Sequence, residues 1–331
     1  MGEDEMRIPY YVPKRLNAIK HGRLLRTYDR LIEEGRYTNG DLAGKLAEKI
    51  RKRTGYQHAV PMGQATHAIF VLAKWYKTLE YKTIWTPAFT WPSTYVPFQW
   101  LGYTTKFVDV DPETWLPDYS NVRTKWNEMC VPVDTFGSVD PYGYAPWNDS
   151  AQSLGAEWGD RAPDRVVSLS GSKILTSAEG GILLTQDSEL FEFAKREAYW
   201  FSRMNELEAA LGLAHLDELP GIVERKRRLR AWYERNFNDM RFQRIPQSTN
   251  NYVIAAVLDE DLGLYDAKEY IDGFPLVELR RYYSPAVDES GTQIDSFPEA
   301  LVNTRFVRDR IVAFPSWPDL RTKDLEEAFF G

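Results

Sequence analysis

One lysine stands out by its setting. Residues 166–181 read VVSLSGSKILTSAEGG: a β-branched strand, a polar turn around Lys173, and a Glu-Gly-Gly turn into a second strand at 182–185. Ser168, Ser170, Ser172, Thr176 and Ser177 crowd the lysine in sequence. A lysine held on a loop between two buried strands loses part of its charge by desolvation, and its amine becomes a nucleophile. Schiff-base chemistry on a carbonyl requires such an amine. On this stretch alone, a solvated lysine in a Ser-rich turn is the more ordinary reading.

Three upstream segments shift that balance. In residues 146–152, PWNDSAQ, an acid, Asp149, stands three residues before Gln152. Residues 63–66, GQAT, lie between a short strand at 58–61 and a helix through HAIFVLAKWYKTL. A strand, a small-residue turn and a helix N-terminus form an anion site, because free backbone N–H groups point outward there. Thr66 adds a hydroxyl, or is a plain N-cap. Residues 87–94, PAFTWPST, follow a strand at 83–85, so Trp91 falls where open α/β sheets bind ligands, unless it is a core aromatic.

The elements that must position these residues alternate strand and helix. Residues 14–55 read as helical, broken at Thr38-Asn39-Gly40, with Asp41 as the cap of a second helix that ends at Gly55. Strands are expected at 58–61, 83–85, 105–110, 129–133, 166–168 and 182–185, with polar residues after most of them. That pattern implies an α/β sheet, largely parallel. Helices follow at 188–197, 205–215 and 220–236. The last carries Arg225-Lys226-Arg227-Arg228, which its helical setting makes a solvated face. Strands return in YVIAAVL, PLVELRRYY and RIVAFPSW, and a helix over 323–330 closes the chain. Residues 1–225 are expected to form an N-terminal segment with a large α/β domain, and 226–331 a small α+β domain.

Bulk properties fit a soluble two-domain protein. The chain has 331 residues, 43% hydrophobic and 27% charged. A net charge of -7 argues against a nucleic-acid groove. Cys130 is the one cysteine, so no internal disulfide forms, which fits a reducing, cytoplasmic setting. His21, His58, His67 and His215 show no ligand spacing, and no metal site is expected. The acidic start, MGEDEMRIPYY, reads as no signal peptide, and no run approaches the ~18 apolar residues of a membrane span.

Taken in order, from about residue 37 onward, these segments resemble the DegT/DnrJ/EryC1/StrS family of pyridoxal-phosphate sugar aminotransferases. YTNGDLAGKLAEKI looks like the family's first helix, and GQATHAI is similar to its Ser-Asn-Gly-Thr-Ala-Ala-Leu phosphate turn. TPAFTWPST, FVDVDPET, NDSAQSLGAEW, SLSGSK…AEGG and RMNELEAALGLAHLDEL each match a further family segment. The resemblance implies a type I, aspartate-aminotransferase-like α/β fold, with a mostly parallel seven-stranded sheet and a small C-terminal domain. It implies pyridoxal 5′-phosphate in Schiff-base linkage to Lys173, and Asp149 paired with the pyridinium nitrogen to keep it protonated. Gln152 would lie near the ring's 3-hydroxyl, and Trp91 would stack on the ring face. Ala65, Thr66, the His67 backbone N–H and Ser168 would hold the phosphate. The implied reaction moves an amino group from an amino acid, L-glutamate by analogy, to a keto group on a nucleotide-linked sugar or related metabolite. The implied assembly is a homodimer.

The departures are specific. The family's His-x-x-Gly after the fourth strand reads Asp134-Thr135-Phe136-Gly137. The segment before Arg203-Met204 is shortened, and Phe201 stands where the family has an asparagine that reaches the neighbouring subunit's phosphate. Ser202 or Arg203 is a candidate replacement. The family's Tyr-x-Pro-x-His reads Tyr283-Ser284-Pro285-Ala286-Val287-Asp288. Two other readings stay open: the same cofactor with a different substrate, such as a modified nucleotide, or a binding protein of this fold without turnover.

Overall fold

The computed structural model describes residues 7–12, 16–141, 145–159, 162–259, 267–283 and 301–331. The 284–288 departure therefore lies outside the described residues. Helix α1, Ala18–Glu33, starts at Asn17, whose side chain accepts from the Lys20 amide, and it buries Leu24 and Leu31. Helix α2, Leu42–Thr54, ends at Gly55 in the left-handed conformation. The expected Asp41 cap does not form: its carboxylate pairs with Lys45 on the exposed face. Glu206, far along the chain, supplies the cap instead, its Oε2 accepting from the Leu42 amide at 2.8 Å. A side chain at Gly40 would occupy the space this carboxylate fills. Local sequence cannot reveal a cap delivered from so distant an element.

The central sheet is built from β1 His58–Met62, β2 Thr83–Pro87, β3 Thr104–Val108, β4 Glu128–Cys130, β5 Trp147–Asp149, β6 Asp164–Ser168 and β7 Gly181–Thr185. One run has the order β3-β2-β4, all parallel, and the other β1-β7-β6-β5. A parallel bridge between Val133 and Asp149 joins the two, with the Asp149 amide donating to Pro132 O at 2.9 Å. The order is thus 3-2-4-5-6-7-1, and β7 alone runs against its neighbours. Strands β6 and β7 are buried at every position, as a strand covered on both faces must be.

Helices α3 Ala65–Thr78 and α5 Ser188–Phe201 cover one face, where Val166 and Leu183 meet Ile69, Leu72 and Leu190. Helices α1, α2 and α6, Glu206–Leu216, cover the other, where Val167, Ile182 and Leu184 meet Leu46 and Ile50. Alternate residues of one strand serve opposite cores. A short α4, Val96–Trp100, follows the β2 loop.

Helix α7, Leu219–Asn236, leads to an antiparallel sheet of β8 Met240–Phe242, β9 Ile254–Leu258 and β10 Ile311–Phe314, in the order β10-β9-β8. Helices α8 Ala267–Asp272, α9 Val302–Arg310 and α10 Thr322–Phe330 complete it. The expected strand in PLVELRRYY is not one. Residues 275–283 form no ladder: their strand-type pairing is confined to isolated bridges, Val277 to Ile8 and Arg280 to Ala313. The basic run of α7 is also not a uniformly solvated face. Arg227 and Arg228 pair with Glu224 on the exposed side, but Lys226 is buried. Among the described residues no helix is long and apolar enough to cross a membrane.

Candidate active site

A cavity of about 710 Å³ opens where β2, β5 and β6 end, between the large sheet and the β9–β10 sheet. Ala65, Thr66, Trp91, Asp149, Gln152, Ser168 and Lys173 all line it. Sequence reasoning drew these residues from four separate segments, and the fold brings them to one cavity. His67 does not line it.

Lys173 sits on the loop after β6, its amide bonded to Ser170 O at 2.9 Å. Its Nζ lies 4.7 Å from the centroid of the Tyr252 ring. Asp149 ends β5 and is buried. Its Oδ2 accepts from the Thr94 hydroxyl at 2.7 Å and its Oδ1 from the Ala151 amide at 3.0 Å. Burial pushes its carboxyl above the usual carboxylate range, against the pull of the Thr94 and Ala151 hydrogen bonds and the Lys173 charge. A cation meeting this acid inside the cavity would favour its ionised form.

Behind Asp149 lies a second acid, Asp134, whose amide donates to Asp149 O at 3.0 Å. Its Oδ2 accepts from Arg165 at 3.0 Å, from Ser150 at 2.8 Å and from Ser153 at 2.5 Å. The Trp158 ring covers the guanidinium at 4.9 Å. The residue that departs from the family pattern is therefore committed to a buried ion pair. Phe136 nearby has φ 60, a left-handed conformation, and its amide donates to Gln152 Oε1 at 2.7 Å. Gln152 Nε2 in turn donates to the Tyr283 hydroxyl at 3.0 Å.

Helix α3 begins at Gln64, which is extended, and no side chain caps it. The first-turn amides of Ala65, Thr66 and His67 are thus available to an anion. The Thr66 hydroxyl donates to Ser93 Oγ at 3.0 Å. The start of β7 presses on this turn: a Cβ on Gly181 would come within 2.5 Å of Ala65 N and Cα. His67 turns its ring away, to Ser202 Oγ at 2.8 Å, and burial holds its pKa below the ordinary value. Ser202 also accepts from the Gly63 amide at 3.2 Å, and Arg203 reaches Asn39 at 3.0 Å. Phe201 packs edge-on to His67 and Phe70. Trp91 is 60% exposed at the cavity wall, so much of its ring is uncovered.

Sequence reasoning missed Thr94, Tyr252, Lys226 and Tyr283. The signal for Thr94 was present, since a buried acid needs donors and TWPST supplies hydroxyls. Tyr283 stood at the head of the Tyr-x-Pro-x-His departure and Lys226 within a basic run, but neither was assigned to the site, and nothing in the sequence marked Tyr252.

The chain resembles EpsN of Bacillus subtilis (strain 168), assigned as a pyridoxal phosphate-dependent aminotransferase, with 24% identity over 316 residues, 79% of this chain and 81% of EpsN. It is 25% identical over 236 residues to GDP-perosamine synthase of Escherichia coli O157:H7, covering 61% of this chain and 65% of that one. Its fold matches the crystal structure of DesI determined with its TDP-sugar product, with a TM-score of 0.86 and 22% identity over 97% of this chain and 91% of that one. Matched from residue 20 to residue 329, the chain belongs to the DegT/DnrJ/EryC1/StrS aminotransferase family.

Proposed function

We propose that this aminotransferase moves an amino group from an amino acid, L-glutamate foremost, to a keto group on a nucleotide-linked sugar. Its cofactor is pyridoxal 5′-phosphate. The observation that carries the reading is one cavity holding an amine, Lys173, a buried acid, Asp149, and an uncapped helix N-terminus. The residues fit the group. A buried carboxylate hydrogen-bonded to a hydroxyl and an amide suits a protonated ring nitrogen, and the α3 amides suit a phosphate.

Bound in this cavity, the cofactor supplies an electron sink for the substrate's reacting carbon. Lys173 would tether it and then carry a proton at Nζ between substrate and cofactor carbons. Asp149 would hold the ring-nitrogen proton, and Thr94 would hold Asp149. Thr66, Ser168 and the amides of Ala65 and His67 would bind the phosphate. Trp91 would cover one ring face, and Gln152 would orient the edge bearing the 3-hydroxyl. GDP-perosamine synthase and DesI with its TDP-sugar product support a nucleotide-linked sugar as acceptor. The exposed Tyr199, Trp200 and Phe201 at the end of α5 support a second copy covering that surface, in a homodimer.

The test is direct. Reconstituted protein shows the visible band of bound cofactor, glutamate removes it, and Lys173→Ala never forms it. Failure to bind cofactor after reconstitution would end the proposal. A panel of nucleotide-linked keto sugars then separates acceptors.

A further inference from the structure

Tyr252 is tied at four points around Lys173. Its amide donates to Asn250 Oδ1 at 2.8 Å. Asn250, fully buried, donates onward to Gln152 O at 2.7 Å and Leu154 O at 3.0 Å, just past Asp149. The Tyr252 carbonyl accepts from Lys226 Nζ at 3.1 Å. Its hydroxyl meets Ser172 Oγ at 3.3 Å, next to the lysine. Its ring lies under the Lys173 amine at 4.7 Å. Lys226 itself is buried on α7, and its other bond goes to Ser316 Oγ at 2.8 Å, beyond β10. Both acceptors of Lys226 are neutral oxygens.

Lys173 has four rotatable side-chain bonds, and among the described residues its Nζ makes no hydrogen bond that would direct it. A cation above an aromatic face is attracted to it by the ring quadrupole, more strongly where water is thinned. A ring fixed at both backbone ends and at its hydroxyl therefore narrows the amine's range. We propose that Tyr252 is a positioning residue for the Lys173 amine, and that Lys226 anchors it by clamping its backbone carbonyl. This rests on Lys173 being the cofactor tether. On loading, the amine in its neutral form would join the cofactor's aldehyde carbon through Nζ, its two protons leaving with the aldehyde oxygen as water. A pre-aimed amine loads faster because less motion must be frozen on the way.

The experiment compares cofactor-free wild type, Tyr252→Phe, Tyr252→Leu and Lys226→Met. It measures the rate of covalent pyridoxal phosphate uptake and the visible circular dichroism of the loaded protein, which reports cofactor orientation. Borohydride trapping and peptide mapping locate the adduct. Tyr252→Leu and Lys226→Met should each slow loading roughly fivefold and change the dichroic band. Tyr252→Phe, which keeps the ring, should stay within about twofold of wild type. Tyr252→Leu loading at the wild-type rate, or Tyr252→Phe falling as far as Tyr252→Leu, overturns the positioning role. Lys226→Met loading at the wild-type rate overturns the anchor. Absence of a wild-type adduct on Lys173 overturns the tether itself, a separate failure.

Discussion

Asp134 and Arg165 form an ion pair at 3.0 Å whose side chains are 0% and 1% exposed, one residue-contact behind Asp149. Such a pair resists the loss of one partner far more than the loss of both. Arg165→Met leaves a buried carboxylate with only hydroxyl and amide donors, and should cost about 3–5 kcal/mol in urea denaturation. Arg165→Met combined with Asp134→Leu should cost clearly less than the two single changes added together. Additive losses would mean that the pair is not coupled.

Asp149→Asn should cut turnover by about 10²–10³-fold, since an amide cannot hold the ring-nitrogen proton as a carboxylate does. Its effect on the cofactor-free protein should have the opposite sense. Burial raises the Asp149 carboxyl above its ordinary value, so the folded state holds the proton more tightly than the unfolded state. The stability contributed by this group is complete below the ordinary carboxylate range and is lost as pH rises through the raised value. The Asn variant should therefore gain on wild type in thermal melts as pH rises above the ordinary carboxylate value of about 4. A difference that shrinks over that rise would contradict the assignment.

Lys226 gives a second pH signature, with the other sign. Burial lowers it from the usual 10.5 to about 7. Between those values the unfolded chain holds more protons than the folded one, so this group's contribution to stability rises with pH. Below about 7 the cost of burying the charge is present in full. Lys226→Met has neither the cost nor the titration. The melting temperature of wild type minus that of Lys226→Met should climb from pH 7 towards 10.5. A flat difference would show that the amine keeps its ordinary proton affinity.

Gly181→Ala tests the contact between β7 and α3. Its Cβ would meet Ala65 backbone atoms at 2.5 Å, and backbone cannot swing aside as a flexible side chain can. The expected cost is about 1–3 kcal/mol. Pyridoxal phosphate affinity should fall by more than stability alone explains, because the displaced atoms belong to the anion-binding turn. Unchanged affinity in a folded variant would separate that turn from the phosphate.

Much of the site was legible because its parts are sequential. The Lys173 loop, the Asp149–Gln152 spacing and the GQAT turn each sit where one strand ends, and a strand's end is marked by local chemistry. The sheet was legible for the same reason, from β-branched runs and the turns between them. What was not legible came from elsewhere in the chain. The cap of α2 is Glu206, not the adjacent Asp41, and the ring beside Lys173 belongs to residue 252. Lys226 looked like one more charge in a basic run, and only its position on the inner face of α7 sets it apart. The strand expected in PLVELRRYY failed because an apolar pattern does not provide a partner edge, and this segment pairs its backbone strand-fashion only at single bridges.

The pairing of β1 with β7 has a consequence for biosynthesis. Residues 58–62 occupy the sheet's edge, and among the described residues their sole strand neighbour is residues 181–185. A nascent chain that has emerged only as far as residue 180 thus carries the first turn of α3 on an unsupported strand. Capture of the cofactor must wait for residues 181–185 to emerge, and fragments released earlier lack the corner that would receive it.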